Sequence, residues 1–204
     1  MRRHLDASAV TAHAGGMSRC ALFLDRDGVI NEDLDYVHRI DQTHFLPGIF
    51  ALCRAARDAG ALVIVATNQA GIARGLYDEA TYLAYTRWVH AQFAEQGAPL
   101  TATYYCPHHP DAGLGDWRIA CDCRKPAPGM LRAAITEFGI DPARSIMLGD
   151  KRKDIEAAAA AGLRTAWLVG DEDAPSGTPR VQDPAAAVAG VALFFENPVR
   201  VPAP

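Results

Sequence analysis

The chain has 204 residues, 50% of them of hydrophobic type, which is enough to bury the core of one complete domain. Its formal net charge of −4 gives no basic surface for nucleic acid. No apolar run reaches the length of a membrane span, and residues 1–18 lack the hydrophobic segment of a secretory signal. We therefore expect a cytoplasmic protein with neither nucleic acid nor membrane as a partner.

The two ends of the chain are expected to lie outside the folded domain. Residues 1–18 are polar and contain Ala and Gly, and Met17 could be the natural start, so the sequence predicts a disordered leader. We expect a single domain over residues 19–195, followed by a short tail over residues 196–204.

Apolar runs and helix-period patterns alternate along this domain. Strands are predicted at residues 20–25, 61–67, 100–105, 145–149 and 164–169, and helices at residues 47–59, 78–96, 128–138 and 153–161. The alternation predicts an α/β fold, a Rossmann-like parallel sheet with helices on both faces. Because no long insertion interrupts it, we expect only a minimal cap. The stretch after Gly170 is rich in Asp, Pro and Ala, and its apolar segment at residues 191–195 could pack against the domain.

Two carboxylates follow the first predicted strand. In Asp25-Arg26-Asp27-Gly28-Val29, the two acids stand at i and i+2 and point the same way on extended backbone. Like charges so close are costly unless a cation lies between them or one carboxyl is protonated. Both remedies suit phosphoryl transfer, which needs Mg²⁺, a nucleophile and a proton donor in one place. A solvated Asp-Gly turn explains this short motif alone equally well, so the rest of the chain must decide.

Other polar residues follow other predicted strands or precede a predicted helix. Four segments supply them: Asp25 with Asp27, Thr67 with Asn68, Lys125, and Asp150. In open parallel sheets, ligands bind at the carboxyl ends of the strands. We therefore expect these side chains to meet at one edge of the sheet and form an active site.

Three of the five cysteines, together with one histidine, have the spacing of a metal site. The order is Cys-x-His, a gap of 12 residues, and then Cys-x-Cys: Cys106, His108, Cys121 and Cys123. Three thiolates and one imidazole form the closed tetrahedral set of structural zinc, and the polar loop between them could not form a core unaided. His109 could replace His108, but the matching one-residue gaps favour His108. We call residues 106–123 the zinc loop.

Four motifs together resemble the haloacid dehalogenase-like phosphatases over about residues 20–170. They are Asp25-Arg-Asp-Gly-Val-Ile-Asn31, Thr67-Asn-Gln-Ala-Gly-Ile-Ala-Arg-Gly75, Cys123-Arg-Lys-Pro126, and Gly149-Asp-Lys151 with Asp154. The zinc loop narrows the resemblance to the branch that contains the D,D-heptose 1,7-bisphosphate phosphatases and the histidinol-phosphate phosphatases. The long spacer before Cys121 looks like the heptose enzymes, which implies removal of the 7-phosphate. Histidinol phosphate or another small sugar phosphate is the alternative substrate.

The resemblance implies roles for individual residues. Asp25 would attack phosphorus and become an aspartyl phosphate, while Asp27 would act as general acid and then general base. Mg²⁺ would be held by Asp25, the backbone carbonyl of Asp27, and Asp150. Thr67 and Lys125 would contact the phosphoryl oxygens.

Residues beside this centre are expected to bind the sugar or its second phosphate. Asn68, Gln69 and Arg124 are the candidates, and Arg124 fits a phosphate best because its fork binds two oxygens. Asp154 could orient Lys151 or reach a metal-bound water, or it could be an ordinary acid at a helix start.

Two other classes of function remain to be weighed. A zinc-dependent binding module without catalysis would place Trp117 and Arg118 in a contact surface, but the net charge and the carboxylates oppose a nucleic-acid partner. A phosphotransferase or mutase would share the aspartyl phosphate. We expect a small phosphorylated sugar as the partner and a monomeric protein.

Overall fold

The computed structural model describes residues 2–5, by their backbone, and residues 18–196. Its strands are β1 (Arg2–Leu5), β2 (Ala21–Leu24), β3 (Leu62–Asn68), β4 (Ala102–Cys106), β5 (Ile146–Gly149), β6 (Thr165–Val169) and β7 (Arg180–Val181). They form one sheet in the order β1-β4-β3-β2-β5-β6-β7. Strands β2 to β7 run parallel, whereas β1 pairs antiparallel with β4. The predicted parallel sheet is confirmed.

The helices alternate with these strands. They are α1 (Ile49–Asp58), α2 (Ala70–Ala73), α3 (Glu79–Glu95), α4 (Gly129–Phe138), α5 (Arg152–Ala161) and α6 (Pro184–Glu196). Asp78 caps α3 by accepting the Thr81 N–H at 2.7 Å. Gly139 and Gly162 end α4 and α5 in the left-handed conformation that glycine adopts without strain.

The core has two layers because successive strand residues point to opposite faces of the sheet. Leu22 and Leu24 pack into the layer that contains α1 and α6. Ala21 and Phe23 pack into the other layer, against α4 and α5. Helices therefore cover both faces, and the side chains at the carboxyl ends of the strands are left for a site.

The end of the described chain packs onto the domain. Val191, Phe194 and Phe195 of α6 are buried against α1 and the sheet. At Gly48, an added Cβ would lie 2.4 Å from the Cα of Ala185, so only glycine permits this close approach. The segment at residues 191–195 thus packs back as part of a longer helix. Its first half is an Ala-rich run with no amphipathic period to predict it.

The structure differs from the predicted leader at residues 2–5. The sequence predicts disorder over residues 1–18, whereas Arg2–Leu5 pairs with the outer edge of β4. An edge strand offers unpaired N–H and C=O groups, and these bind extended backbone whatever its side chains are. The rest of the leader up to residue 17, and the tail from residue 197 onward, lie outside the described residues. No helix in the described part is long and apolar enough to cross a membrane.

Candidate active site

A cleft of about 210 Å³ opens at the carboxyl ends of β2, β3 and β5. Seven of the residues predicted from the sequence line it: Asp25, Asp27, Thr67, Asn68, Gln69, Arg124 and Asp150. Lys125 is not part of the lining and is 2% exposed, because it lies behind Asp25. The four segments predicted to converge are therefore brought together at one edge.

Asp25 is buried and held from two sides. Its Oδ1 atom accepts the N–H of Arg26 at 2.7 Å and lies 3.0 Å from the ammonium of Lys125. Burial opposes the charge of Asp25, but the Lys125 and Lys153 ammonium groups outweigh it and hold the pKa of Asp25 below its usual value. Asp25 is therefore a carboxylate near neutral pH, as a nucleophile must be.

Lys125 joins two acids inside the protein. Its Nζ atom lies 3.0 Å from Asp25 Oδ1 and 2.7 Å from Asp154 Oδ1. Although burial disfavours the ammonium, these two carboxylates raise the pKa of Lys125. The Lys125–Pro126 peptide bond is cis. Asn68 holds this backbone, since its side chain accepts the Lys125 N–H and donates to the Lys125 carbonyl, each at 3.0 Å.

Asp150 carries an oxygen that none of the described residues satisfies. Its Oδ2 accepts from Lys151 Nζ at 2.7 Å, whereas its buried Oδ1 has no hydrogen-bond partner there. An added Cβ at Gly28 would lie 2.3 Å from Oδ2, so only glycine lets the loop that follows Asp25 approach Asp150 so closely. Burial and the charge of Asp25 raise the pKa of Asp150 to about 6. The unpartnered oxygen of Asp150 therefore marks a corner of the cleft that suits a cation.

The corner fits Mg²⁺, for which three carboxylates are candidate ligands. Oxygens of Asp25, Asp150 and Asp154 lie within 4.8 Å of one another, and hard oxygen ligands suit this ion. Asp154 is already engaged by Lys125 and by the N–H of Lys151, which Oδ2 accepts at 3.0 Å. Both oxygens of Asp154 are thus engaged, whereas Asp25 and Asp150 each keep one oxygen that accepts from no described donor, so these two side chains are left for an ion. We call Asp25, Lys125, Asp150 and Asp154 the carboxylate cluster.

The position of Asp154 resolves the alternatives that the sequence leaves open. It is fully buried in the first turn of α5 and caps that turn, as an acid at a helix start can. Its contact with Lys151 is with the backbone N–H, whereas the Lys151 ammonium pairs with Asp150 and with Asp33. The Asp154 carboxylate instead forms an ion pair with Lys125, a residue that lies far from it in the sequence.

Asp27 and Gln69 are linked within the wall of the cleft. Gln69 is 2% exposed and donates from Nε2 to Thr67 Oγ1 at 2.9 Å and to Asp27 Oδ2 at 3.3 Å. Its Oε1 accepts the hydroxyl of Tyr77 at 2.8 Å. The Gln69 amide thus orients its neighbours, and the contacts of Asn68 are likewise with the protein. A role for either amide in binding substrate stays a prediction.

Several cleft residues were not predicted from the sequence to belong to the active site. They are Asp33, Asp35, Tyr36, Arg74, Tyr77, His109, Lys151 and Lys153. Arg74 belongs to the Thr67–Gly75 motif, so the sequence could have predicted its place in the cleft. Its guanidinium carbon lies 5.8 Å from the centre of the Tyr36 ring. His109 accepts two backbone N–H groups at Nδ1, so its proton is carried by Nε2. Burial and the nearby Arg124 and Arg74 lower the pKa of His109.

Beside the cleft, the predicted metal ligands form the thiol cluster: Cys106, His108, Cys121 and Cys123. The Cys123 Sγ lies 3.4 Å from that of Cys106, 3.2 Å from that of Cys121 and 3.4 Å from Nδ1 of His108. Sulfur ligands about 2.3 Å from a tetrahedral zinc lie about 3.8 Å apart, so the cluster fits that ion. Hydrogen bonds from Cys106 and then Cys121 and His108 lower the pKa of Cys123 to about 5.

The thiol cluster is continuous with the cleft. Cys106 ends β4, and the chain returns from Cys123 directly to Arg124 and Lys125. The Arg124 guanidinium donates to the carbonyl of His108 at 3.3 Å. The order of this loop therefore decides where the Arg124 side chain stands in the cleft.

Comparison with known proteins gives consistent matches. Residues 122–191 match a HAD-hydrolase-like family model. A D-glycero-beta-D-manno-heptose-1,7-bisphosphate 7-phosphatase of Yersinia pestis is 46% identical over 149 residues, 73% of this chain and 79% of the relative. A D-glycero-alpha-D-manno-heptose-1,7-bisphosphate 7-phosphatase of Burkholderia mallei is 48% identical over 158 residues, 78% of this chain and 84% of the relative.

A solved structure is similar over nearly the same range. The D,D-heptose 1,7-bisphosphate phosphatase of B. bronchiseptica, complexed with magnesium and phosphate, has a TM-score of 0.73 and 38% sequence identity. The match covers 86% of this chain and 99% of that structure.

Proposed function

Because the chain belongs to the heptose 1,7-bisphosphate 7-phosphatases among the haloacid dehalogenase-like hydrolases, we propose that it removes the 7-phosphate of D-glycero-D-manno-heptose 1,7-bisphosphate. One observation carries the proposal. An ionised Asp25 stands in the cleft with a buried ammonium behind it and Asp27 beside it. That is the combination an aspartyl-phosphate route requires.

We propose that Asp25 is the nucleophile. An oxygen of its carboxylate forms the bond to phosphorus while the bond from phosphorus to the sugar oxygen breaks, and the Arg26 N–H and Lys125 hold the carboxylate in place at Oδ1. Lys125 keeps Asp25 ionised and lies close enough to offset charge on the transferring group. The hydroxyl of Thr67 accepts from Gln69 and so keeps its own hydrogen for a phosphoryl oxygen.

Asp27 is the proposed acid and base. It gives a proton to the departing sugar oxygen, and then takes a proton from the water that attacks the aspartyl phosphate, which regenerates Asp25. Mg²⁺, held by Asp25, Asp150 and the Asp27 carbonyl, would supply charge compensation to the phosphoryl oxygens. The unpartnered oxygen of Asp150 and the magnesium bound by the B. bronchiseptica relative support that ion.

The thiol cluster is proposed to bind one structural zinc. All four protein ligands would be used, so no position would remain for catalysis, and the ion would instead fix the loop that bears Arg124. Arg124 is the proposed contact for the phosphate that is not cleaved. Since a single copy of the chain supplies every one of these side chains, the proposed site needs no residue from a second copy.

The substrate is tested by comparing kcat/KM for both anomers of heptose bisphosphate with that for histidinol phosphate. Both anomers are needed because relatives named for each form are almost equally identical to this chain. We expect kcat/KM for at least one heptose anomer to exceed kcat/KM for histidinol phosphate. A higher value for histidinol phosphate would overturn the substrate and leave the phosphatase chemistry standing.

A further inference from the structure

Arg26 is a charged side chain that the interior of the protein encloses. It stands between the proposed nucleophile and the proposed acid, yet it is only 3% exposed. Its guanidinium grips the Asp27 carboxylate at both oxygens. Nη2 lies 2.9 Å from Oδ1 and 2.9 Å from Oδ2, and Nε lies 3.1 Å from Oδ1. A side chain next to a solvent-filled cleft has therefore turned inward to hold its neighbour.

The surroundings of Arg26 fix the guanidinium as a cation. Nη2 also donates to the Val37 carbonyl at 2.6 Å, and the rings of Tyr82 and Tyr85 lie 5.8 Å and 5.2 Å from the guanidinium carbon. Burial opposes the charge, but Asp27 and the tyrosines raise the pKa of Arg26. Its Nη1 is buried without a partner among the described residues. A buried ion pair with an unsatisfied donor adds little net stability, so stability alone does not explain it.

The grip restricts how the Asp27 carboxylate can rotate. Apart from Arg26, Oδ1 accepts only from Asn31 Nδ2 at 3.1 Å, and Oδ2 only from Gln69 Nε2 at 3.3 Å, within the described structure. The Asp27 side chain is 20% exposed and so reaches the cleft. Without the guanidinium, each oxygen would keep one neutral amide donor and lose its charged partner, so the carboxyl could turn more easily about its Cβ–Cγ bond.

We propose that Arg26 is the positioning residue of the acid–base step, whose buried guanidinium holds the Asp27 carboxyl in line with the leaving sugar oxygen. The inference rests on the proposed function of Asp27. A general acid must lie within hydrogen-bond reach of the atom that it protonates, and a rotation of the carboxyl removes that reach. Arg26 itself touches no substrate and acts through Asp27.

The test compares Arg26→Met on two phosphate esters. The alkoxide that leaves an alkyl phosphate needs a proton, whereas p-nitrophenolate leaves almost unaided. We expect kcat/KM to fall about 10²-fold for heptose bisphosphate and for a simple alkyl monophosphate, but less than about fivefold for p-nitrophenyl phosphate. Since kcat/KM reports the steps up to phosphorylation of Asp25, slow hydrolysis of the intermediate does not mask the difference. Arg54→Met, which removes a surface guanidinium bound to the Gln96 carbonyl, is the matched control.

A double-mutant cycle with Asp27→Asn distinguishes failure of the Arg26 inference from failure of the proposed acid role of Asp27. If Arg26 acts through Asp27, Arg26→Met should have almost no further effect on the alkyl phosphates in the Asp27→Asn background. Equal losses on aryl and alkyl esters would overturn the inference and show that Arg26 supports the fold alone. If Asp27→Asn itself shows no preference for the aryl ester, the proposed acid role has failed instead, and the inference falls with it. Should Arg26→Met not fold, Arg26→Lys keeps the charge, loses the two-point grip and decides in the same way.

Discussion

The carboxylate cluster and the thiol cluster lie at the same edge of the sheet, but they are held together differently. In the carboxylate cluster, Asp25, Asp150 and Asp154 come from strand ends or the first turn of a helix, and Lys125 neutralises two of them. In the thiol cluster, only Cys106 belongs to a strand, and the other three ligands stand on the zinc loop. There, the sulfur atoms lie 3.2 to 3.5 Å apart, and no lysine or arginine side chain forms an ion pair with them in the described structure.

This difference indicates what each cluster needs from its ion. The carboxylate cluster is assembled by backbone that the core fixes in any case, so an ion would complete its chemistry and contribute little to its shape. Cys106 and Cys123 are buried in the core, but the loop between His108 and Cys121 is mostly exposed, so binding an ion would be part of the folding of this loop. One site is thus expected to stay in place without metal, and the other to loosen.

The largest effect is expected at the nucleophile. Asp25→Asn should lower kcat by roughly 10⁴-fold or more, because an amide cannot form the aspartyl phosphate. The thermal melt should stay cooperative, since the strands that hold the site do not depend on this charge. Retention of more than a few per cent of activity in a carefully purified sample would contradict the assignment, and Asp58→Asn, on an exposed surface, is the matched control.

Loss of the zinc loop should have the next largest effect. Cys123→Ser should abolish binding of the one zinc expected to copurify, and should lower kcat/KM by about 10²-fold as Arg124 and Lys125 lose their positions. Metal analysis and hydrogen exchange over residues 106–123 would follow the loss, and Mg²⁺ should not reverse it. Cys53→Ser, at a buried cysteine outside both clusters, should keep its zinc. A wild-type protein without zinc that is fully active and equally stable would remove the distinction between the clusters.

Substitution of Arg124 tests whether the zinc loop positions a substrate-binding side chain in the cleft. Arg124→Ala should reduce kcat/KM for heptose bisphosphate by roughly 10- to 10²-fold, the value of one charge-assisted contact of about 1.5–3 kcal/mol. The same variant should act almost normally on p-nitrophenyl phosphate, which has no second phosphate. If both substrates lose activity equally, Arg124 must instead contact the phosphoryl group that is transferred.

The smallest effect is a difference in pH dependence between the two ions. The pKa of Asp150 is raised to about 6, so below that pH a proton competes with Mg²⁺ for its oxygen. Calorimetric titration should show Mg²⁺ affinity falling as the pH drops, towards tenfold per unit below pH 6. Zinc affinity should fall more steeply with pH, because the Cys123 hydrogen bond and burial raise the pKa of Cys106, burial raises that of Cys121, and zinc must displace both protons. An Mg²⁺ affinity that is constant from pH 7 to pH 5 would refute the role of Asp150.

Sequence patterns predicted the secondary structure correctly wherever it depends on the residues of a single segment. The apolar runs that become β2, β3 and β5 and the segments that become α3, α4 and α5 are local features, and the structure confirms them. Strand β1 and the first half of α6 could not be predicted in this way. Their structure depends on a sheet edge and on a helix surface that other parts of the chain supply.

The sequence predicted which residues line the site better than it predicted what their side chains contact. Asn68 and Gln69 stand where a substrate contact is expected, but their amides are occupied by Lys125, Asp27, Thr67 and Tyr77. Arg26, a surface-type residue in the sequence, is buried under two tyrosines of α3. A residue name states what a side chain can bind, and only the packing around it selects the partner.

The fold class, the residues that meet at the edge of the sheet and the resemblance to the phosphatase family could all be predicted from the sequence alone. These follow from periodicity and from the rule that parallel strands bring their carboxyl ends together. The tertiary structure decided which charges neutralise one another: Lys125 with Asp25 and Asp154, Arg26 with Asp27, and Lys151 with Asp150. It alone could do so, because the strength of a charge pair depends on distance and burial, which residues far apart in the sequence acquire only when the chain is folded.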